Sequence, residues 1–220
     1  MRSPQPRARP RGYCECEYTC GQALELPPPS AARADLFRVL DRRRSRRPER
    51  PLSLAELSTL LWYTVKEYSH RGESGAANYW EHRAMPSAGG CHPIDVLARR
   101  GTRWFRYSPR VHSLSPVRVQ DREQIRQFDA AVALCVGSEP GRNSTVLWFA
   151  AQPGRTARRY RWPTSLVLRD AGVLIGGIVL VAEALRLNAL PLGITGEPWL
   201  SRALDPCGVV EGVGGILVGG

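Results

Sequence analysis

Leu54, Leu57, Leu60 and Leu61 recur at the spacing that gathers them on one face of a helix. Ser53-Leu54-Ala55-Glu56 ahead of them is a capping box. A helix that buries one face is therefore predicted to open at Ser53. A longer helix is predicted from Leu166 to Leu187, with Leu168, Gly172, Ile175, Val179 and Ala182 along one side. Its other sides are apolar too, which suits the centre of a core or an obligate subunit interface. Gly172, Gly176 and Gly177 would let another backbone come close. Shorter helices are predicted over Ala31–Leu40 and Gln120–Phe128.

A strand is predicted to begin over Ile94–Ala98. A second spans Arg103–Tyr107 and is ended by Pro109. The compact apolar run Ala130–Val136 before Gly137 reads as a buried strand, and Val209–Val218 as the last one. Thr145–Ala151 fits strand or helix equally. Residues 69–85 are polar and read as a loop, and Pro86–Gly90 as a turn. With no internal repeat, the pattern describes an α+β protein built around one buried helix.

Residues 1–30 are rich in Pro, Arg and Cys and end in Pro27-Pro28-Pro29, an irregular arm ahead of a domain spanning 31–220. Hydrophobic residues make up 43% of the 220 and charged residues 23%, enough apolar material for a real core. Six cysteines are too few for a disulfide-stapled mini-protein. Cys14, Cys16 and Cys20 lack the paired knuckles and fourth ligand that zinc wants, so plain thiols and no metal are expected. The N-terminus has no apolar core of a signal peptide. The apolar run Ala171–Ala182, between Asp170 and Glu183, is shorter than the ~18 residues of a membrane span. A cytoplasmic protein away from the membrane is the expectation.

The net charge is +11, and Lys66 is the only lysine, so the positive charge is nearly all guanidinium. Arginine forks grip phosphate in bidentate fashion, which fits a phosphorylated ligand or nucleic acid; a GC-rich genome explains the arginines as well.

Three segments carry candidate chemistry. Arg42-Arg43-Arg44-Ser45-Arg46-Arg47 offers guanidiniums and a hydroxyl to a phosphate dianion, or else is a solvated basic loop. Pro86-Ser87-Ala88-Gly89-Gly90 is a turn of small residues whose backbone can reach a flat ligand unobstructed. Leu190-Pro191-Leu192-Gly193-Ile194 follows the long helix and can present backbone donors. His82 and His92 flank the turn, either as proton donors or as ordinary packed side chains. Tyr68, Tyr79 and Trp80 precede it as stacking or packing groups, and Cys91 has no base beside it in sequence.

Taken in order, these segments resemble the nitroreductase-like FMN flavoproteins. The branch they resemble is the azoline dehydrogenases of streptolysin-, microcin- and cyanobactin-type peptide maturation. The resemblance rests on RAMPSAGGCHPIDVLARR, then WFRYSP and VHSLSPV, then RRYRWPTSLVLRDAGVLIGGIVLVAEALRLNALPLGI, within residues 40–220. It implies a nitroreductase-like α+β fold with an antiparallel-dominated sheet flanked by helices, and a homodimer with FMN at the subunit interface. It also implies that Arg43, Arg44, Ser45 and Arg47 hold the FMN phosphate and ribityl chain. Pro86, Ser87, Ala88 and Gly89 would line the flavin ring, and Gly193 and Ile194 would meet its N5 edge. The cofactor then carries the redox step and the protein tunes it.

The branch carries a lysine–tyrosine pair ahead of its long helix, thought to abstract a proton. Here those positions hold Arg158 and Arg159, followed by Tyr160. Arginine stays protonated and is a poor base, so Tyr160 becomes the candidate proton acceptor and Arg158 a stabiliser of developing negative charge. The expected activity is FMN-dependent oxidation in natural-product or peptide biosynthesis. Its substrate would be a peptide or a carrier-bound small molecule, with a modification enzyme as partner. The alternatives are an NAD(P)H-dependent nitro or quinone reductase and a catalytically degenerate scaffold. A nucleic-acid binder accounts for the charge but not for the ordered motifs.

Overall fold

In a computed structural model, residues 1–74, 76–137, 142–204 and 208–220 are described. The helices are α1 (Leu36–Arg42), α2 (Leu54–Thr64), α3 (Arg122–Val136), α4 (Gly154–Ala157), α5 (Thr164–Ala184) and α6 (Trp199–Leu204). The strands are β1 (Gln5–Pro6), β2 (Leu24–Glu25), β3 (Glu67–Arg71), β4 (Trp80–Arg83), β5 (Ile94–Arg100), β6 (Arg103–Ser108), β7 (Ser113–Pro116), β8 (Thr145–Ala151), β9 (Tyr160–Arg161), β10 (Asn188–Leu192) and β11 (Glu211–Gly219).

Seven strands form one sheet in the order β10-β11-β8-β5-β6-β7-β2, every pair antiparallel. Because strand side chains alternate between faces, central β8 serves two cores at once. Leu147, Phe149 and Ala151 point to the face covered by α2 and α5, while Val146, Trp148 and Ala150 point to the face covered by α3 and α6. Thr145–Ala151 is thus a strand, buried throughout. The result is the expected α+β architecture, with a long helix packed on an antiparallel sheet.

The capping box forms as read: the Glu56 N–H donates to Ser53 Oγ at 3.2 Å and the Ser53 N–H to Glu56 Oε2 at 2.8 Å. Helix α5 buries Val167, Ala171, Leu174 and Ile178 against the sheet, and leaves Leu168 and Val173 42% and 37% exposed on its other side. By length and composition it is apolar enough to cross a membrane, so the shorter run read from the sequence understates it.

Two expectations fail. Ala130–Val136 is not a strand but the second half of α3, whose buried side is Phe128, Val132 and Val136 at four-residue spacing. Asp121 caps its start, and Gly137 ends it in the left-handed conformation at φ +68°. Residues 69–85 are not simply loop: they hold most of the hairpin β3–β4. The arm of residues 1–30 is mostly irregular yet anchored. β1 pairs with β9, β2 ends the sheet, and buried Tyr18 donates its hydroxyl to Asp95 Oδ2 at 2.6 Å.

Candidate functional site

The turn at Pro86 is built around a buried carboxylate. Ser87 Oγ donates to Asp170 Oδ2 at 2.6 Å, and the Ala88 N–H donates to both oxygens at 3.2 and 3.3 Å. The His92 N–H closes the loop onto Ser87 Oγ at 2.9 Å. Gly89 and Gly90 both take positive φ, near +60°, where a side chain would be strained. Asp170 projects from α5, so the turn is pinned to the long helix. A second pin is Met85, whose sulfur occupies the space that any side chain at Gly177 would need.

Burial pushes the Asp170 carboxyl above its ordinary range, and the Ser87 hydroxyl and Ala88 N–H only partly oppose this. Among the described residues no cation pairs with it. A cavity of about 30 Å³, large enough for roughly one water, lies beside it between Thr64, Arg83, Met85 and Leu174. His92 also borders the cavity. Burial, and then the Arg83 cation, hold its imidazole down at about 3, so it is neutral at physiological pH. His82 stacks on Trp80, with ring centroids 6.2 Å apart.

Tyr160 comes to the same turn: a Cβ on Gly89 would stand 2.9 Å from its hydroxyl oxygen. Arg158 goes elsewhere. It is 2% exposed, with its guanidinium 5.2 Å from the Tyr79 ring centroid and 5.8 Å from that of Tyr13, and Nη1 donates to the Ala76 carbonyl at 3.0 Å. Its Nε and Nη2 have no hydrogen-bond acceptor among the described residues. Burial pushes the neighbouring Cys91 thiol up despite that guanidinium, so Cys91 is not a poised nucleophile. Arg159 donates to the Tyr79 carbonyl at 2.9 Å.

The arginine loop sits at the other end of α5. Glu183 is nearly buried and holds Arg42 and Arg46 at 3.3 and 3.4 Å. The Arg46 N–H donates to the Ala189 carbonyl on β10 at 3.1 Å. This leaves Arg43, Arg44 and Arg47 without a carboxylate partner among the described residues, and Arg44, Ser45 and Arg47 exposed. Four residues along β10 from Ala189, ~13 Å at the rise of a strand, stands Gly193, exposed and with open space where a side chain would be. Ile194 beside it is half-buried against the α3–α6 core.

The two acids that bound the apolar run in sequence are therefore the two anchors, Asp170 for the turn and Glu183 for the loop. They are thirteen positions apart on one helix, ~20 Å along its axis. One chain thus presents the arginine loop at one end of α5 and the turn with Tyr160 at the other, with Gly193 and Ile194 just past β10.

An open antiparallel sheet, a long helix with a serine turn tied to its first half, and a basic loop at its far end describe a known architecture. A protein from Ralstonia eutropha JMP134 designated a nitroreductase superposes with a TM-score of 0.64 over 99% of this chain and 97% of its own, at 21% identity. The chain has the nitroreductase fold. A chain of the E. coli microcin synthetase McbBCD complex, solved with truncated pro-MccB17 bound, shares the fold at a TM-score of 0.58 and 17% identity, over 90% of this chain and 78% of that one. A protein from Anabaena variabilis designated a nitroreductase gives 0.61 at 20% identity, over 92% of this chain but only 39% of its own. No family model and no curated protein matches the sequence, so the likeness is one of nitroreductase fold.

Proposed function

We propose that this chain is an FMN-dependent oxidoreductase of the azoline-dehydrogenase type, oxidising a ring in a peptide or carrier-bound intermediate. Domain 31–220 would carry the flavin and residues 1–30 would be its arm. The observation that carries the reading is Tyr160, whose hydroxyl lies on Gly89 of the Asp170-pinned turn. The residues fit the cofactor. Arg43, Arg44 and Arg47 have no carboxylate partner among the described residues and would be open to a phosphate, with Ser45 exposed among them. Pro86, Ser87, Ala88 and Gly89 form the small-residue, Asp170-pinned turn that would edge a ring. Gly193 and Ile194 present an unobstructed backbone. When bound, FMN supplies a two-electron acceptor.

The chain's own residues would then orient the substrate over the turn and take its proton at Tyr160 Oη once that hydroxyl has released its own proton to solvent. Arg159, whose side chain borders Gly89 at the turn, rather than Arg158, which the Ala76 carbonyl holds, would add fixed positive charge that stabilises negative charge developing on the ring. The ~20 Å between loop and turn calls for a second copy, so that one protomer gives the loop and its partner the turn. The exposed stripe Leu168, Gly172, Val173 and Gly176 on α5 suits that packing, since both glycines have open space above them. The partnership with a modification enzyme and the cytoplasmic setting follow from the same reading, which the McbBCD likeness supports.

The test is the visible spectrum of the purified protein, followed by release and identification of any flavin. Bound FMN in a homodimer is expected, with Tyr160→Phe keeping the flavin and losing turnover on a peptide azoline by roughly 100-fold. Colourless protein that FMN cannot reconstitute would sink the reading and favour a degenerate scaffold. The likeness to designated nitroreductases favours one other reading, an NAD(P)H-dependent nitro or quinone reductase. Rapid NADPH oxidation with a quinone would select it.

A further inference from the structure

The face of the sheet opposite α5 holds a groove of about 640 Å³ between α3, the β5–β6 hairpin and the strand exit after β7. That is the size of a pocket for a small organic ligand, roughly 300–1,000 Å³. Five arginines line it against one acid, Asp129. Arg99 is spent on Asp129 and Arg126 on Glu123. Arg103, Arg118 and Arg122 are exposed and have no carboxylate partner among the described residues.

The floor beneath them is apolar, formed by Val117, Val119 and Ile125. Trp104, 2% exposed, packs in the wall behind them. Three guanidiniums without a carboxylate partner at one mouth repel one another. That repulsion calls for an acceptor-rich anion, and three cations answer a phosphate dianion or diphosphate better than a single carboxylate. The apolar floor calls for an organic body on that phosphate.

We propose that this groove binds a phosphate ester of about nucleotide size, with Arg103, Arg118 and Arg122 on the phosphate and the ester's body over Val119 and Ile125. The site lies across the sheet from the turn at Pro86, so it is not the flavin site and does not depend on the flavin reading. Free nucleotides and the phosphopantetheine arm of a carrier protein share this chemistry.

Titration calorimetry on the protein as purified tests it with ADP, 4′-phosphopantetheine and adenosine as probes. ADP or 4′-phosphopantetheine is expected to bind saturably below about 1 mM, with adenosine far weaker. The tighter of the two names the source. Arg118→Gln with Arg122→Gln should weaken binding at least roughly tenfold, and both residues are exposed and unpaired, so the fold tolerates the change. Arg44→Gln with Arg47→Gln, in the other basic loop, should leave it unchanged. Absence of binding by either phosphate probe would overturn the proposal, as would loss confined to the Arg44 and Arg47 variant. A single-stranded oligonucleotide that bound more tightly than both, with affinity falling steeply in salt, would overturn it in favour of nucleic acid.

Discussion

Asp95 and Asp170 are equally withdrawn from water, at 8% and 9% exposed, yet their surroundings differ in kind. Asp95 sits among charges: Arg155 Nη1 donates to it at 2.7 Å, Gln152 Nε2 at 2.9 Å and Tyr18 Oη at 2.6 Å. Burial alone would raise its carboxyl, but the Arg155 and Arg106 guanidiniums and the Tyr18 hydroxyl override this and hold it at about 2. Asp170 has only a hydroxyl and an amide, and its carboxyl is pushed up. The first is a closed ion pair that ties the arm and α4 to the sheet. The second leaves an uncompensated acid beside the turn and its cavity. The difference separates a carboxylate that closes an ion-pair network from one that pins a turn with neutral donors alone.

The strongest challenge to this contrast is Asp95→Asn. It strands the buried Arg155 cation with only Glu15, and should cost about 3–5 kcal/mol in urea unfolding while freeing the arm to proteases. A loss under about 1 kcal/mol would mean the network is not structural. Asp170→Ala should cost less, about 2 kcal/mol, because the groups left unpaired are neutral, but it should abolish flavin retention. Full retention of flavin with the turn unpinned would break the assignment of Asp170 to the site. Gly89→Ala puts a methyl at φ +61° against the Tyr160 hydroxyl. About 1–2 kcal/mol is expected, with weaker flavin binding; unchanged stability would mean the turn rearranges freely.

The smallest effect is in the pH profile, where the two acids have opposite signs. Asp95, with a lowered pKa, contributes stability that is present above its unfolded value of about 3.9 and lost as pH falls through about 2. Asp170, with a raised pKa, contributes in its protonated form and loses that contribution as pH rises through its folded value. Urea midpoints from about pH 2 to 6 should therefore show Asp170→Asn gaining on the wild type as pH rises, and the deficit of Asp95→Asn narrowing as pH falls. Parallel curves for wild type and Asp170→Asn would show that Asp170 keeps an ordinary pKa.

Much of this was legible in the chain. Ser53 and Glu56 announced α2, and the small residues after Met85 announced the turn, because both signals are local. Val132 and Val136 misled because a short apolar run suits strand or helix alike; their four-residue step from Phe128 was the clue. The hairpin β3–β4 is polar and largely exposed, so no alternation betrays it. Asp170 and Glu183 read only as the ends of an apolar run. Their partners, Ser87 and the arginine loop, are 83 and 137 residues away, and no spacing rule reaches that far. The pairing of Tyr18 with Asp95 was hidden for the same reason.

The open edges of the seven-stranded sheet are closed to polymerisation. At one edge, β2 offers only two residues, too few to template another strand. At the other, the outward Ala189 carbonyl of β10 is already taken by the Arg46 N–H. Two residues on, where an outward N–H would stand, Pro191 has none. Strand-by-strand addition into fibrils is therefore disfavoured at both edges.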